Sequence, residues 1–288
     1  MLTQVFHLHA LSALHVGAGQ ALGVVDLPLA RARATNLPLV PGSALKGVLR
    51  DEFAGSDCQK ALFGPETIAE GTSAHAGALA FGDAHLLLLP VRSFAGISAF
   101  VTCPFVLARY ADDLRRAGAA AADVPAVAEV GEQSALVTAE TCLRATDDLM
   151  ILEDLDLNAA PGADDWAKAI ASRAHADHPQ WQLQFTQRFA ILSDDDFSFL
   201  ADTATEVRAR IRIDDSRGVV QDGGLWYEEN LPAETILWGA IAAGPARDGS
   251  KLGEREVMNK VREGLAATPT LQIGGKATIG RGLVRLVL

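Results

Sequence analysis

Thr205-Glu206-Val207-Arg208-Ala209-Arg210-Ile211-Arg212-Ile213-Asp214 alternates cleanly. Val207, Ala209, Ile211 and Ile213 fall on one side and Arg208, Arg210 and Arg212 on the other, the period-two pattern of a strand. Gly223-Gly224-Leu225-Trp226-Tyr227-Glu228-Glu229-Asn230-Leu231-Pro232 follows, with the flanking glycines and bulky apolar residues of a protruding tip. Together they predict a β-hairpin over about residues 205–232. The arginines could track phosphates, or form the charged, solvated face of an edge strand. Leu225 and Trp226 could wedge between bases, or be buried in a core strand.

Outward from the hairpin the pattern predicts a mixed chain. Residues 4–11 read as a strand, with Phe6, Leu8 and Ala10 alternating with His7 and His9. A loop-like stretch bounded by glycine and proline leads to a helix opening at Pro41-Gly42-Ser43, with Ser43 as its N-cap and Leu45, Val48, Leu49 and Phe53 as its apolar stripe. A strand is expected within residues 77–89 and a helix within 105–118. Residues 118–147 read as an insertion outside the core. The Ala159-Ala160-Pro161-Gly162 run breaks the chain before a helix carrying Trp166. Residues 185–192 read as a strand, and Ser193 with Asp194, Asp195 and Asp196 as a helix start. A glycine-rich loop at 274–282 precedes a last strand at 283–288. This order suits an α+β chain with one or two βαββαβ units, the ferredoxin-like arrangement shared with RNA-recognition domains.

Composition narrows the classes. The chain has 288 residues and 49% hydrophobic content, enough for one large domain or two small ones. No apolar window approaches the roughly 18 residues of a membrane span, and the N-terminus lacks the basic and apolar regions of a signal peptide. Cys58, Cys103 and Cys142 form no CxxC pair, which suits a reducing cytoplasm better than a disulfide framework or a zinc site. The net charge of −11 argues against nucleic acid unless the cations gather on one face.

Three further segments carry candidate chemistry. Asp26 lies in a loop bounded by glycines and Pro28, where it could meet a ligand or merely cap a turn; His15 precedes it and taken alone reads as structural. Ser43, Lys46 and Arg50 sit at or near a helix N-terminus, with Lys46 and Arg50 four apart on one side. They read as a phosphate site or as a capped helix with solvated cations. Gly274, Gly275, Lys276, Gly280, Arg281 and Gly282 form neither a P-loop nor a dinucleotide fingerprint. Their backbone N–H groups could wrap a sugar-phosphate chain, or the segment could be a mobile hairpin loop.

In this order the segments resemble the RAMP superfamily of CRISPR proteins, and within it the branch that forms the multi-copy backbone of type III-B (Cmr) effector complexes. The likeness rests on residues 15–19, 23–28, 41–50, 77–92 with 101–104, 210–232 and 271–282, and is weakest over 118–180. It implies one domain over 1–288 with an RRM-like palm, an inserted fingers region at about 105–182 and a thumb hairpin at about 205–232 carrying Leu225 and Trp226. It implies a cytoplasmic protein whose partners are guide CRISPR RNA, single-stranded target RNA, further copies of itself in a filament and the other subunits of the complex, with no membrane. It implies a metal-dependent endoribonuclease leaving a 2′,3′-cyclic phosphate, with Asp26 as catalytic residue and ligand of a transient Mg or Mn ion. His15, Tyr227, Glu228 and Glu229 are helpers in that reading, and the cations and glycines of the second and third segments bind RNA. The alternatives are a purely structural guide-binding subunit and a RAMP endonuclease that processes guide precursors.

Overall fold

The computed structural model describes residues 1–19, 24–65, 74–176 and 178–288; Gly23, part of the loop before Asp26, lies outside them. Four strands make the centre of a mixed sheet, in the order β14-β1-β12-β4: β1 is Leu2–Ala10, β4 Ala84–Arg92, β12 Ile236–Ala243 and β14 Leu283–Val287. All three pairings are antiparallel. Helix α1, Gly42–Glu52, lies in sequence between β1 and β4, and α7, Glu254–Ala267, between β12 and β14. The chain therefore traces strand-helix-strand twice, as the sequence pattern predicts.

The sheet extends on both sides. Short strands β2, Leu39–Val40, and β3, Leu79–Phe81, pair with β4 and β12, and β13, Leu271–Gln272, pairs with β14. Beyond β4 come β5, Ser98–Thr102, then β9, Phe189–Leu192, then β6, Ser134–Val137, β8, Leu155–Pro161, and β7, Leu149–Leu152. Helices α2, Gln59–Phe63; α3, Pro104–Arg116; α4, Asp164–Ala174; α5, Pro179–Gln187; and α6, Asp194–Thr203, complete the described α-helices. Three expectations are corrected. Residues 118–147 contribute to the core: Ala135 and Val137 of β6, with Val124 and Leu143, are fully or nearly fully buried, because β6 pairs between β9 and β8 and its alternate residues face inward. Phe185 to Gln187 end α5, and the strand starts only at Phe189. Ser43 is not the N-cap of α1. Pro41 holds that position, and the Gly42 N–H donates to Asp83 Oδ1 at 2.8 Å, so a carboxylate from the β3–β4 turn satisfies the helix start. Ser193 does cap α6, accepting from the Asp196 N–H.

Both faces of β1 are buried. Phe6, Leu8 and Ala10 share one face with the core that includes Leu45 and Leu49 of α1 and Val257, Met258 and Val261 of α7. His7 and His9 point the other way, under α3 and α4: His7 Nε2 lies 2.7 Å from the Tyr110 hydroxyl, and the His9 and His175 rings meet edge to face. The sheet surface on which RNA-recognition domains stack bases is thus covered by helices here. Burial holds the His7 imidazole down at about 3, with Arg173 adding to it, and burial with His9 and Arg285 does the same for His175. A histidine depressed in the folded state stays neutral there while the unfolded chain takes up its proton below about 6.5, so stability falls as pH drops through that value. At pH 5.5 the two groups should cost about 2–3 kcal/mol relative to pH 7.5. Thermal melts at the two pH values should differ by several degrees, and equal midpoints would mean that the imidazoles charge within the fold.

Two strands leave the sheet. β10, Glu206–Asp214, and β11, Val219–Asn230, pair only with each other as a regular element, in register from Glu206 opposite Asn230 to Ile211 opposite Leu225. Gly223 and Gly224 lie in a bulge on β11, since the register shifts between Ile211 and Ile213. The tip is the turn between Asp214 and Val219, and not the Gly223–Leu225 stretch expected from sequence. Opposite residues share a face. Val207, Ala209, Ile211, Ile213, Val220, Leu225 and Tyr227 line one side, most of them about half exposed. Arg208, Arg210, Trp226 and Glu228 line the other.

Candidate nucleic-acid interface

Most of the sequence-predicted site residues meet at the base of the hairpin. The loop carrying Asp26 lies along β11: Leu27 N–H donates to Tyr227 O at 3.1 Å, and Glu229 N–H donates to Leu27 O at 3.0 Å. These bonds extend the two-stranded ribbon by one short parallel segment. Asp26 Oδ2 accepts from the Tyr227 N–H at 2.7 Å, and the side chain stays exposed. A carboxylate fixed by one oxygen and open at the other can accept a proton or orient a hydroxyl.

His15 sits on the next segment inward. Its Nδ1 lies 2.6 Å from Glu229 O. A carbonyl only accepts, so Nδ1 carries the proton, and Nε2 is the acceptor nitrogen of the neutral ring. The glycine-rich loop backs this histidine. Gly275 N–H donates to His15 O at 3.0 Å, and Gly282 N–H to Ala13 O at 2.9 Å. A Cβ at Gly274 would stand 2.2 Å from His15 O, at a φ of +81° that only glycine adopts without strain. Gly274 and Gly275 therefore serve close packing against the segment of His15.

The two adjacent glutamates of β11 are buried and ion-paired. Glu228 Oε1 lies 2.8 Å from Lys276 Nζ and accepts from Trp226 Nε1 at 2.7 Å; Arg210 Nε is 3.7 Å from the other oxygen. Burial alone would raise its carboxyl, but the lysine, the indole and the arginine outweigh that and hold it below the usual carboxylate range. Lys276 Nζ also lies 5.9 Å from the Trp226 ring centroid. Glu229 faces the other way and binds Leu29 N–H, Arg31 and Thr205, with its carboxyl likewise lowered against burial. In this structure Lys276 and Glu228, expected as an RNA contact and a catalytic helper, are thus committed to each other. Leu225 and Trp226, expected together on the thumb, point to opposite faces.

Other expected residues lie apart. Ser43, Lys46 and Arg50 are on α1, and among the described residues no hydrogen bond or ion pair joins them to the hairpin base. Gly280 and Arg281 belong to the glycine loop, where Arg281 N–H donates to Lys276 O. Among the described residues no group of three His, Cys, Asp or Glu side chains converges as a metal cage. With Glu228 and Glu229 already neutralised, the donors fit a divalent ion only as one held jointly by Asp26 and phosphates of bound RNA, the way Mg²⁺ commonly binds.

The charge problem has a local answer. Residues 123–165 hold 11 of the 36 acidic residues and only Arg144 of the 25 basic ones. The remainder of the chain has 25 acidic against 24 basic residues, close to neutral. Most acids of the 123–165 segment are exposed, and no ion pair among the described residues engages them. The hairpin, α1 and the glycine loop lie outside this acidic segment. A windowed charge count would have found it from the sequence. The ion pair of Arg31 with Glu229 was missed, because nothing in either local pattern links positions 198 residues apart.

The RAMP superfamily profile matches residues 7–285. This chain belongs to the RAMP superfamily. Among RAMP proteins it is 35% identical over 289 residues to the CRISPR system Cmr endoribonuclease Cmr4 of Pyrococcus furiosus, covering 98% of this chain and 94% of that one. It superposes on the crystal structure of oligomeric Cmr4 from Pyrococcus furiosus with a TM-score of 0.74 and 28% identity, covering 99% and 97% of the two chains. A chain in the cryo-EM structure of the type III-B Cmr-beta complex bound to cognate target RNA shares the fold, with a TM-score of 0.74 at 22% identity over 100% of this chain and 97% of that one. No described helix of this RAMP protein is long and apolar enough to cross a membrane.

Proposed function

We propose that this chain is a multi-copy subunit of a type III-B CRISPR complex that holds guide RNA and cuts the paired target RNA at regular intervals. The observation that carries the reading is the exposed Asp26 carboxylate, fixed to the base of a hairpin that stands away from the sheet. In this reading β14-β1-β12-β4 with α1 and α7 form the palm, β10–β11 the thumb and the chain between β5 and β9 the fingers. Copies stack along the guide, and each thumb displaces one nucleotide of the guide–target duplex. Guide pairing supplies sequence specificity, as in RNA-guided DNA effectors. Lys46, Arg50 and Arg281 meet the phosphates, while the acidic 123–165 segment faces away.

Displacement of a nucleotide frees its ribose for in-line attack. The 2′-oxygen bonds to the adjacent phosphorus, its proton passes to a base, and the bond to the 5′-oxygen breaks as that oxygen gains a proton. The products are a 2′,3′-cyclic phosphate and a 5′-hydroxyl. Asp26 orients or deprotonates the 2′-hydroxyl, and the leaving 5′-oxygen takes its proton from water; His15, its Nδ1 fixed by Glu229 O, is a helper behind that site. A divalent ion bound by Asp26 and phosphate would add charge stabilisation of the phosphorane. In a complex programmed with a known guide, complementary RNA should give a ladder of evenly spaced cuts. One 2′-deoxy substitution at a cut position should erase that band alone; continued cutting there would exclude the ribose as nucleophile.

A further inference from the structure

We infer that Glu229, ion-paired with Arg31, is the positioning residue of the cleavage site, holding the segment that carries Asp26 against the hairpin base. The inference rests on the functional reading above and names a residue pair that reading does not use. Glu229 bonds at two points of the segment that directly follows Asp26. Its N–H donates to Leu27 O at 3.0 Å, and its Oε2 accepts from the Leu29 N–H at 2.9 Å. Its carbonyl accepts from His15 Nδ1 at 2.6 Å. Its Oε1 accepts from Arg31 Nη2 at 2.5 Å and from the Thr205 hydroxyl at 3.0 Å. Its backbone holds Leu27 and the tautomer of His15, and its carboxylate holds Leu29, Arg31 and Thr205 at the start of β10.

A carboxylate at a position only 6% exposed is costly unless its oxygens are filled. Here they are filled by the segment next to Asp26. An apolar residue could occupy the volume, but it would leave the Leu29 N–H and the Arg31 guanidinium without that partner. Arg31 in turn reaches Asp202 Oδ1 at 3.0 Å and Ala201 O at 3.2 Å, at the end of α6, and Asn36 O at 2.8 Å. The pair so ties the Asp26 segment to a helix packed in the core. Asp26 itself touches only the Tyr227 N–H among these groups, so with Glu229 neutralised that single bond is left to hold it and the carboxylate shifts with the loosened segment.

The test uses the assembled complex with guide and measures single-turnover cleavage and target affinity separately. Glu229→Gln keeps the size and an acceptor for Leu29 but removes the charge from Arg31. Cleavage should slow about 10–100-fold, the scale of an ångström-sized misplacement, with guide occupancy and target affinity unchanged. Arg31→Met should match it, Arg31→Lys should retain more activity, and Glu229→Gln with Arg31→Met should be no worse than Arg31→Met alone. Wild-type cleavage by Glu229→Gln overturns the inference. So does loss of target binding in proportion to cleavage, which would make Glu229 merely structural. Should Glu229→Gln fail to assemble, Arg31→Lys against Arg31→Met decides: equal, full activity in both overturns it. Asp26→Asn in the same assay separates the layers. If that variant still cuts, the functional reading fails; if it is silent while Glu229→Gln cuts normally, only the role of Glu229 fails.

Discussion

Asp26→Asn should abolish target cleavage to within measurement, a loss of about 10³-fold or more, while assembly and target binding remain as in the parent chain. The substitution is nearly isosteric, and the amide oxygen can still accept from the Tyr227 N–H that now bonds Asp26 Oδ2. Geometry is thus preserved while the charge and the proton-accepting ability disappear. General-base action alone contributes about 10²–10⁴-fold, and a lost electrostatic partner adds to that. Asp26 is exposed, so its replacement carries no folding penalty from burial. Gel-resolved cutting of complementary RNA, with filter binding on the same preparations, measures both quantities. Undiminished cutting would assign the chain a structural role only.

Lys276→Met should lower the stability of the chain by about 2–4 kcal/mol, near the range for removing one partner of a buried pair and reduced because Lys276 is about one-third exposed. The carboxylate left behind is the cause. The Glu228 side chain is 2% exposed, and without Lys276 it keeps only the Trp226 indole and an Arg210 guanidinium 3.7 Å away. The double substitution Lys276→Met with Glu228→Gln should recover much of the loss, since no uncompensated charge then remains. Chemical denaturation of the four chains forms a double-mutant cycle with an expected coupling above about 1 kcal/mol. Additive effects would show that Lys276 and Glu228 do not share their charge, and that the glycine loop is held to the hairpin by backbone packing alone.

Much of the architecture was legible because it follows from local periodicity. The alternation at 205–214 marked β10, the Ser193 cap marked α6, and the glycine-rich loop fell before the last strand as expected. Where the reading slipped, a neighbour in space decided the outcome. Asp83 displaced Ser43 as the partner of the α1 N-terminus. The Gly223-Gly224 pair, which reads as a turn, is absorbed as a bulge because the hairpin turns earlier, at residues 215–218. His7 and His9 occupy the polar phase of β1 yet lie buried under α3 and α4.

Residue types and their order along the chain determined by themselves that this is a mixed α/β chain with a projecting hairpin, an acidic carboxylate in a glycine-bounded loop, and a glycine-rich loop near the C-terminus; motif order was also enough to indicate the family. Only the tertiary structure decided that Glu228 and Glu229 are ion-paired anchors and that the Asp26 loop rides on the hairpin base. The physical reason is separation. Propensity and periodicity act over a few residues, whereas the bonds that fix the chemistry of this site join positions 48 to 214 residues apart, and their strength depends on a burial that no local pattern encodes.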